Sequence, residues 1–364
     1  MKNKLLALIL IFSIFFTGFD HADLDALSRA YILMDYDTGE ILEEYNSESV
    51  VEIASITKLM TYLLVKEAID IGRLRESEVL TAEKCDLRTG SKLNIKPGNQ
   101  YSVEQLLEAL IVISGNDAGA LLARRVSGSE GEFAKLMNRR AGELGLKSAT
   151  FYNATGLPIY PQNIQNTMTA RDVAYLAKYI INKYPEVLVL SQVSEVIVEG
   201  EEEPAKNTNP LLGVVDSVDG LKTGSTRKAG YCLVWTSQKN NRLIGVNLGF
   251  EKMKDRDEKV KDFARYAIKD YHVRDFLEVK NSPYNLYIKE AKDPLVKIVA
   301  EESFTKYERE LSKLRQDIVI YQNLKLPLRK GERVGEIIVI DELGNEVFKT
   351  YLNTSKPVEK QGIF

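Results

Sequence analysis

The decisive stretch of this chain is Ala54-Ser55-Ile56-Thr57-Lys58-Leu59-Met60-Thr61. From Ser55 onward Leu59, Met60, Leu63, Leu64 and Ala68 recur at helical spacing, and Gly72 marks a stop. Residues three apart share a helix face, so the Lys58 amine reaches the Ser55 hydroxyl. Lysine at its ordinary pKa of about 10.4 is a poor base at neutral pH. Burial or a second cation nearby lowers that value and frees the amine. A serine at a helix start also lets backbone N–H groups face a developing oxyanion. Taken singly the Ser-x-x-Lys spacing is weak, because it arises about once by chance in a chain of this size. The plain alternative is an N-capping serine and a solvated lysine.

Two further elements change the weighing. Ser114-Gly115-Asn116 begins 59 residues after Ser55, behind a helix expected to end near Ile113. Lys222-Thr223-Gly224 begins 108 residues later still, just before the apolar run Tyr231–Ser237. Singly, these read as a helix-to-helix turn and a turn leading into a strand. Together, in this order, they form a working set. Asn116 can hold Lys58 and a substrate amide. Ser114 can relay a proton to a leaving amine. Lys222 supplies the second cation, which lowers the Lys58 pKa and attracts a carboxylate. Gly224 lets the backbone approach a bound peptide without a side-chain clash.

Composition removes the competing chemistries. The chain has 364 residues, of which 44% are hydrophobic, enough for two domains. Its net charge of −3 argues against nucleic-acid binding. The two histidines, His21 and His272, leave almost no material for a Ser-His-Asp triad, a Cys-His dyad or an HExxH zinc site. Cys85 and Cys232 form no CxxC and read as two separate buried thiols. No metal, nucleotide or other cofactor is expected.

The N-terminus reads as a signal peptide over residues 1–22. Two lysines precede an apolar run from Leu5 to Phe16, which is short for a membrane span of about 20 residues. Cleavage after Ala22 is expected; an uncleaved anchor is the alternative, which leaves membrane association through the N-terminus open. The mature protein is therefore expected to be exported and extracytoplasmic.

Along the chain, Tyr31–Met34 and Ile41–Tyr45 flank the turn Asp37-Thr38-Gly39 as a hairpin. Helices are expected over 103–113, 117–126, 132–144 and 170–181, and over 255–271. Val187–Val198 looks strand-like, and Tyr231–Ser237 and Arg242–Phe250 read as strands joined by a polar turn. The fold class is therefore α+β, an antiparallel sheet with helices packed on it, followed by a small all-β domain. The expected boundaries are 23–273 for the first domain and 274–364 for the second.

Ala54–Thr61, Ser114–Ala118, Asn153-Ala-Thr-Gly-Leu157, Thr169-Ala-Arg-Asp172 and Val218–Gly224 closely resemble the serine-type D-alanyl-D-alanine carboxypeptidases. These are the low-molecular-mass penicillin-binding proteins, of the DD-peptidase/β-lactamase superfamily. The resemblance runs from about Ala26 to Phe250, and Pro327–Glu332 resembles the small β domain that follows in this family. It implies Ser55 as the acylated nucleophile, Lys58 as general base, and Ser114 and Asn116 in the proton network. It implies Lys222 and Thr223 on the substrate carboxylate, with Gly224 beside the peptide. The backbone N–H groups of Ser55 and Ser225 would form the oxyanion hole. Arg171 sits in a segment resembling one that helps position the carboxylate. The implied partners are the peptidoglycan stem peptide and β-lactam antibiotics. Three departures bear on substrate preference and rate: Ser225 where a bulkier residue is common, Thr150 before Phe151 where histidine is frequent, and the sparse loop Gly90-Ser91.

Two rivals remain. A class A β-lactamase needs a glutamate for the deacylating water between the second and third motifs. From Leu144 to Pro185 there is none, and Asp172, at an expected helix start, is the only acid. A catalytically silent wall-binding scaffold would be expected to lose a catalytic side chain, and none is lost.

Overall fold

The computed structural model describes residues 21–279 and 284–362. The leader expected over 1–22 lies, apart from His21 and Ala22, outside the described residues. The chain forms two compact units. One takes in the described residues up to Leu33, then Glu43–Trp235 and Gly245–Ala264; the other takes in Met34–Leu42, Thr236–Ile244 and the chain from Arg265.

The hairpin is present as β1 (Ala30–Asp35) and β2 (Ile41–Tyr45). Asp35 closes its turn by accepting the Thr38 N–H at 2.9 Å. Late in the chain come β3 (Val218–Thr226), β4 (Gly230–Gln238) and β5 (Arg242–Phe250). These strands make one five-stranded sheet in the order β2-β1-β5-β4-β3. The β1–β5 pairing is antiparallel: Arg29 donates to Leu248 while Tyr36 donates to Arg242. All nine residues of β5 are buried, as expected for an apolar strand with neighbours on both sides.

The helices lie between the hairpin and β3 in sequence. They are α2 (Lys58–Asp70), α3 (Val103–Val112), α4 (Asn116–Ser127), α5 (Glu130–Glu143) and α6 (Ala170–Lys183), after a short α1 (His21–Leu27). Local chemistry starts them. Ser102 caps α3 through a reciprocal pair with Gln105, and Ser129 and Thr169 accept the Glu132 and Asp172 N–H groups. Helix α2 is buried from Lys58 through Lys66 and packs against α3, α4, α5 and α6. A helix buried on all sides is a core element, so the charged Lys58 within it demands a chemical reason.

Val187–Val198 is a correction. Residues Val187–Ser191 form a helix, α7, and only Glu195–Val196 is extended. Pro185 sits just ahead of it, and burial recurs at Val187 and Ser191, four apart, rather than at alternate residues. The β-branched run is overridden by the surface it covers, where Ser191 donates to the Asp219 carbonyl at 2.7 Å. Helix α8 spans Met253–Asp270, and its Phe263 packs edge-on against Tyr31 and Trp235.

Beyond α8 the chain is mostly strand. Five strands, Asn285–Tyr287, Leu295–Ala300, Glu346–Thr354, Arg333–Ile340 and Arg315–Ile320, lie side by side in that order, each antiparallel to its neighbour. Val296, Ile298 and Ala300 alternate inward with Ile337, Val339 and Leu352 to make a small separate core. The α+β class with a terminal all-β sheet is therefore observed.

Candidate active site

The first motif does not begin as an α-helix. Ala54–Thr57 is a single 3₁₀ turn that leads into α2 at Lys58. Ala54 is held at φ +46°, a left-handed conformation that costs a residue with a Cβ about 1–2 kcal/mol. The turn sets Ser55 at the surface of a cavity of about 510 Å³, with Lys58 fully buried behind it.

Lys58 Nζ has three partners. It lies 2.8 Å from Ser55 Oγ, 2.7 Å from Asn116 Oδ1 and 3.0 Å from the Thr155 carbonyl. Asn116 is oriented by its own Nδ2, which donates to the Thr89 carbonyl at 2.7 Å. Burial pushes the Lys58 ammonium well below its ordinary pKa, and the Lys222 cation pushes it the same way; Asp117 and Glu130 oppose the shift.

The second motif follows α3. Ser114 also has a left-handed backbone, at φ +61°, and is almost fully buried. Its Oγ has no hydrogen-bond partner among the described residues and lines the cavity. The Asn116 N–H donates to the Ser91 carbonyl, which ties this turn to the loop at Gly90-Ser91.

The third motif is within a strand, not in a turn before one. Lys222-Thr223-Gly224 lies in β3, at the edge of the five-stranded sheet. A Cβ on Gly224 would stand 3.0 Å from Ser55 N, Ile56 N and the Ile53 carbonyl oxygen, tighter than an ordinary contact, so glycine lets β3 lie this close to the serine turn without displacing it. Lys222 is buried and its Nζ donates to the Thr223 carbonyl at 3.2 Å. Burial, and then the Arg256 cation, bring its pKa down to about 7. Ser225 lines the cavity beside Gly224.

A fourth segment completes the wall. Asn153 Oδ1 accepts the N–H groups of Thr155 and Gly156, and Asn166 Nδ2 donates to Asn153 O and to Thr57 Oγ1. Thr61 donates to the Ala154 carbonyl at 2.6 Å. The result aims the Thr155 carbonyl at Lys58.

With a serine hydroxyl, a buried amine and a strand edge meeting at one cavity, the relationships of the chain become informative. The family model for D-alanyl-D-alanine carboxypeptidases matches residues 18–252. The chain belongs to that family. It is 31% identical over 320 residues to the D-alanyl-D-alanine carboxypeptidase DacF of Bacillus subtilis, covering 86% of this chain and 81% of that one. Its fold is similar to penicillin binding protein 6B from Escherichia coli, with TM-score 0.67 and 28% identity over 89% of this chain and 94% of the other. It is also similar to penicillin-binding protein D2 from Listeria monocytogenes in its ampicillin-bound form, with TM-score 0.60 and 32% identity over 66% of this chain and 98% of the other. The protein is a peptidase of the penicillin-binding class, as the three motifs imply.

In this D-Ala-D-Ala carboxypeptidase the structure brings together Ser55, Lys58, Ser114, Asn116, Lys222, Thr223, Gly224 and Ser225. Arg171 is the exception, and its expected place at the substrate is corrected. Its guanidinium pairs with Glu44 at 2.6 Å and with Glu48, and it does not line the cavity. Among the described residues the cations that do are Lys206 and Arg256, and Arg256, on α8, is 5% exposed and paired with Asp257 through Nε at 2.7 Å. No short motif surrounds Arg256, so only the packing of α8 reveals it. Thr155 and Asn166 carry no role legible from residue type, because they contribute a backbone carbonyl and a buried amide. Cys85 is also corrected: it is exposed on a 3₁₀ turn, whereas Cys232 is buried, and neither is in a disulfide.

Proposed function

We propose that Ser55 is the nucleophile of a serine carboxypeptidase that removes the terminal D-alanine from peptidoglycan stem pentapeptides. The observation that carries this reading is the partner set of Lys58. Two of its three neighbours, Asn116 Oδ1 and the Thr155 carbonyl, are obligate acceptors. A neutral amine has two N–H bonds for them and one lone pair left, and the third neighbour is the Ser55 hydroxyl. Burial and the Lys222 cation both favour that neutral form.

Ser55 Oγ attacks the carbonyl between the last two D-alanines, and its proton passes to Lys58. The N–H groups of Ser55 and Ser225 stabilise the oxyanion. The C–N bond breaks as the leaving amine takes a proton from Lys58 through Ser114. D-Alanine leaves; water then attacks the ester as Lys58 takes its proton, and the bond from the acyl carbon to Ser55 Oγ breaks as Lys58 returns that proton to Ser55, releasing the shortened peptide. Thr223, Lys222 and Arg256 hold the substrate carboxylate.

β-Lactams enter the same step, but the amine of the opened ring stays tethered and blocks the water. Among the described residues no carboxylate lines the cavity, and Asp172 is occupied by Ser148, accepting its N–H and its hydroxyl. That weighs against a β-lactamase, and the complete catalytic set weighs against a silent scaffold.

The domains we assign are catalytic over 23–273 and all-β over 274–364, behind a signal peptide over 1–22 that exports the chain to the cell wall. Removing the terminal D-alanine takes away the donor for cross-linking, which gives the enzyme a role in wall maturation.

The test is intact mass after incubation with benzylpenicillin, with D-alanine release measured in parallel. The native protein is expected to carry one persistent adduct and to release D-alanine from a D-Ala-D-Ala peptide; Ser55→Ala does neither. Rapid loss of the drug without an adduct establishes the β-lactamase. Intact drug with no D-alanine release establishes the scaffold.

A further inference from the structure

We propose that Thr208 is a positioning residue for the substrate carboxylate, acting through the hydroxyl of Thr223. This rests on the carboxypeptidase reading above. Thr208 lies on the loop between α7 and β3, half-buried, and lines the active-site cavity together with Thr223.

The two hydroxyl oxygens are 2.6 Å apart, with Thr223 donating and Thr208 accepting. The Thr208 proton points toward the Val112 carbonyl, but at 3.5 Å, the outer limit of a hydrogen bond. That carbonyl, at the end of α3, also accepts the Thr208 backbone N–H at 3.2 Å. It therefore stays satisfied if the Thr208 hydroxyl turns away.

The loop itself holds its position. Asn207 Nδ2 donates to the Ser191 and Val193 carbonyls at 2.9 and 2.8 Å, and its Oδ1 accepts the Asn209 N–H. Thr208 is thus fixed in backbone, and its hydroxyl is held on the donor side only by the long 3.5 Å contact to Val112.

A carboxylate has no proton to give, so Thr223 must donate to it. In the unliganded arrangement that proton is committed to Thr208. When a carboxylate enters, Thr223 turns its proton to the anion and is left with a free lone pair. Thr208 then turns its own weakly held proton into that lone pair. The chain Thr208–OH to Thr223–OH to carboxylate runs in one direction, and each bond polarises the next. A residue without a hydroxyl at 208 would leave Thr223 unsupported at the moment it holds the anion. The Ser114 end of α3 and the β3 edge are joined through this contact, so one side chain couples the second motif to the third.

The experiment compares a soluble N-acylated peptide ending in D-Ala-D-Ala with the same peptide ending in a carboxamide. The readout is the ratio of their kcat/KM values in the native enzyme, Thr208→Val and Thr208→Ser. Native enzyme is expected to prefer the carboxylate. Thr208→Val should lower that preference about tenfold, chiefly through KM on the carboxylate peptide, as for loss of one hydrogen bond serving an anion. Thr208→Ser should restore the ratio to within about twofold, and Thr208→Ala replaces the valine variant if that fails to fold. A merely structural role would lower both peptides together and leave the ratio unchanged, which overturns the inference. Native enzyme that neither releases D-alanine nor is acylated by benzylpenicillin overturns the carboxypeptidase reading, and this inference with it.

Discussion

Replacing Gly156 by alanine tests whether the wall segment is what holds Lys58 to its task. Gly156 has φ +83°, and an added Cβ would lie 1.9 Å from the Ala54 carbonyl oxygen and 2.9 Å from Thr57 Oγ1. An ordinary C···O contact is about 3.3 Å, so the two backbones must separate by about 1.4 Å. One of them carries Ser55; the other carries the Thr155 carbonyl, 3.0 Å from Lys58 Nζ. A left-handed residue with a Cβ costs about 1–2 kcal/mol, and forced overpacking about 1–3 more. The expected loss of stability is therefore about 3 kcal/mol. A misplacement of about 1 Å between nucleophile and base costs on the order of a hundredfold in rate. Urea denaturation reads the first quantity and the second-order rate of acylation by benzylpenicillin reads the second. Acylation within threefold of the parent, with less than about 1 kcal/mol lost, would refute the claim that this close approach organises the site.

Two other perturbations follow from the charges. Lys222 has a folded pKa of about 7 against an ordinary 10.5, so the unfolded chain binds more protons across that interval and stability rises with pH through it. Lys222→Met should flatten the slope between pH 7 and 10 by at most about 1.4 kcal/mol per pH unit, measured by denaturant titration; an unchanged slope refutes the depressed pKa. Arg171→Gln should leave KM for a D-Ala-D-Ala peptide within twofold, because its guanidinium serves Glu44 and Glu48. A tenfold rise in KM would return Arg171 to the substrate.

Several features of this carboxypeptidase were legible in residue order alone. Helices 103–112 and 170–183 announce themselves by spacing and by the caps Ser102 and Thr169, which are local interactions. The three motifs carry their chemistry in residue type and order, since few other sets free a serine proton without histidine. Val187–Ser191 departs from its strand-like sequence because strand propensity is local, while burial at four-residue spacing is imposed by what the segment covers. Likewise Arg171 and Arg256 are both arginines in expected helices. Which one lines the cavity depends on where each helix packs, and Arg171 instead pairs with Glu44 and Glu48.

Sequence by itself singled out Ser55, Lys58 and Lys222 as the candidate residues, because spacing along one turn and a motif order are one-dimensional properties. Only the tertiary structure lowers the Lys58 pKa, since that shift needs burial from all sides and a cation arriving from a strand 164 residues away. It also decided the glycines. Gly156 and Gly224 look like turn and strand residues until Ala54 and Ser55 are packed against them, and the distance that excludes a methyl group exists only in three dimensions.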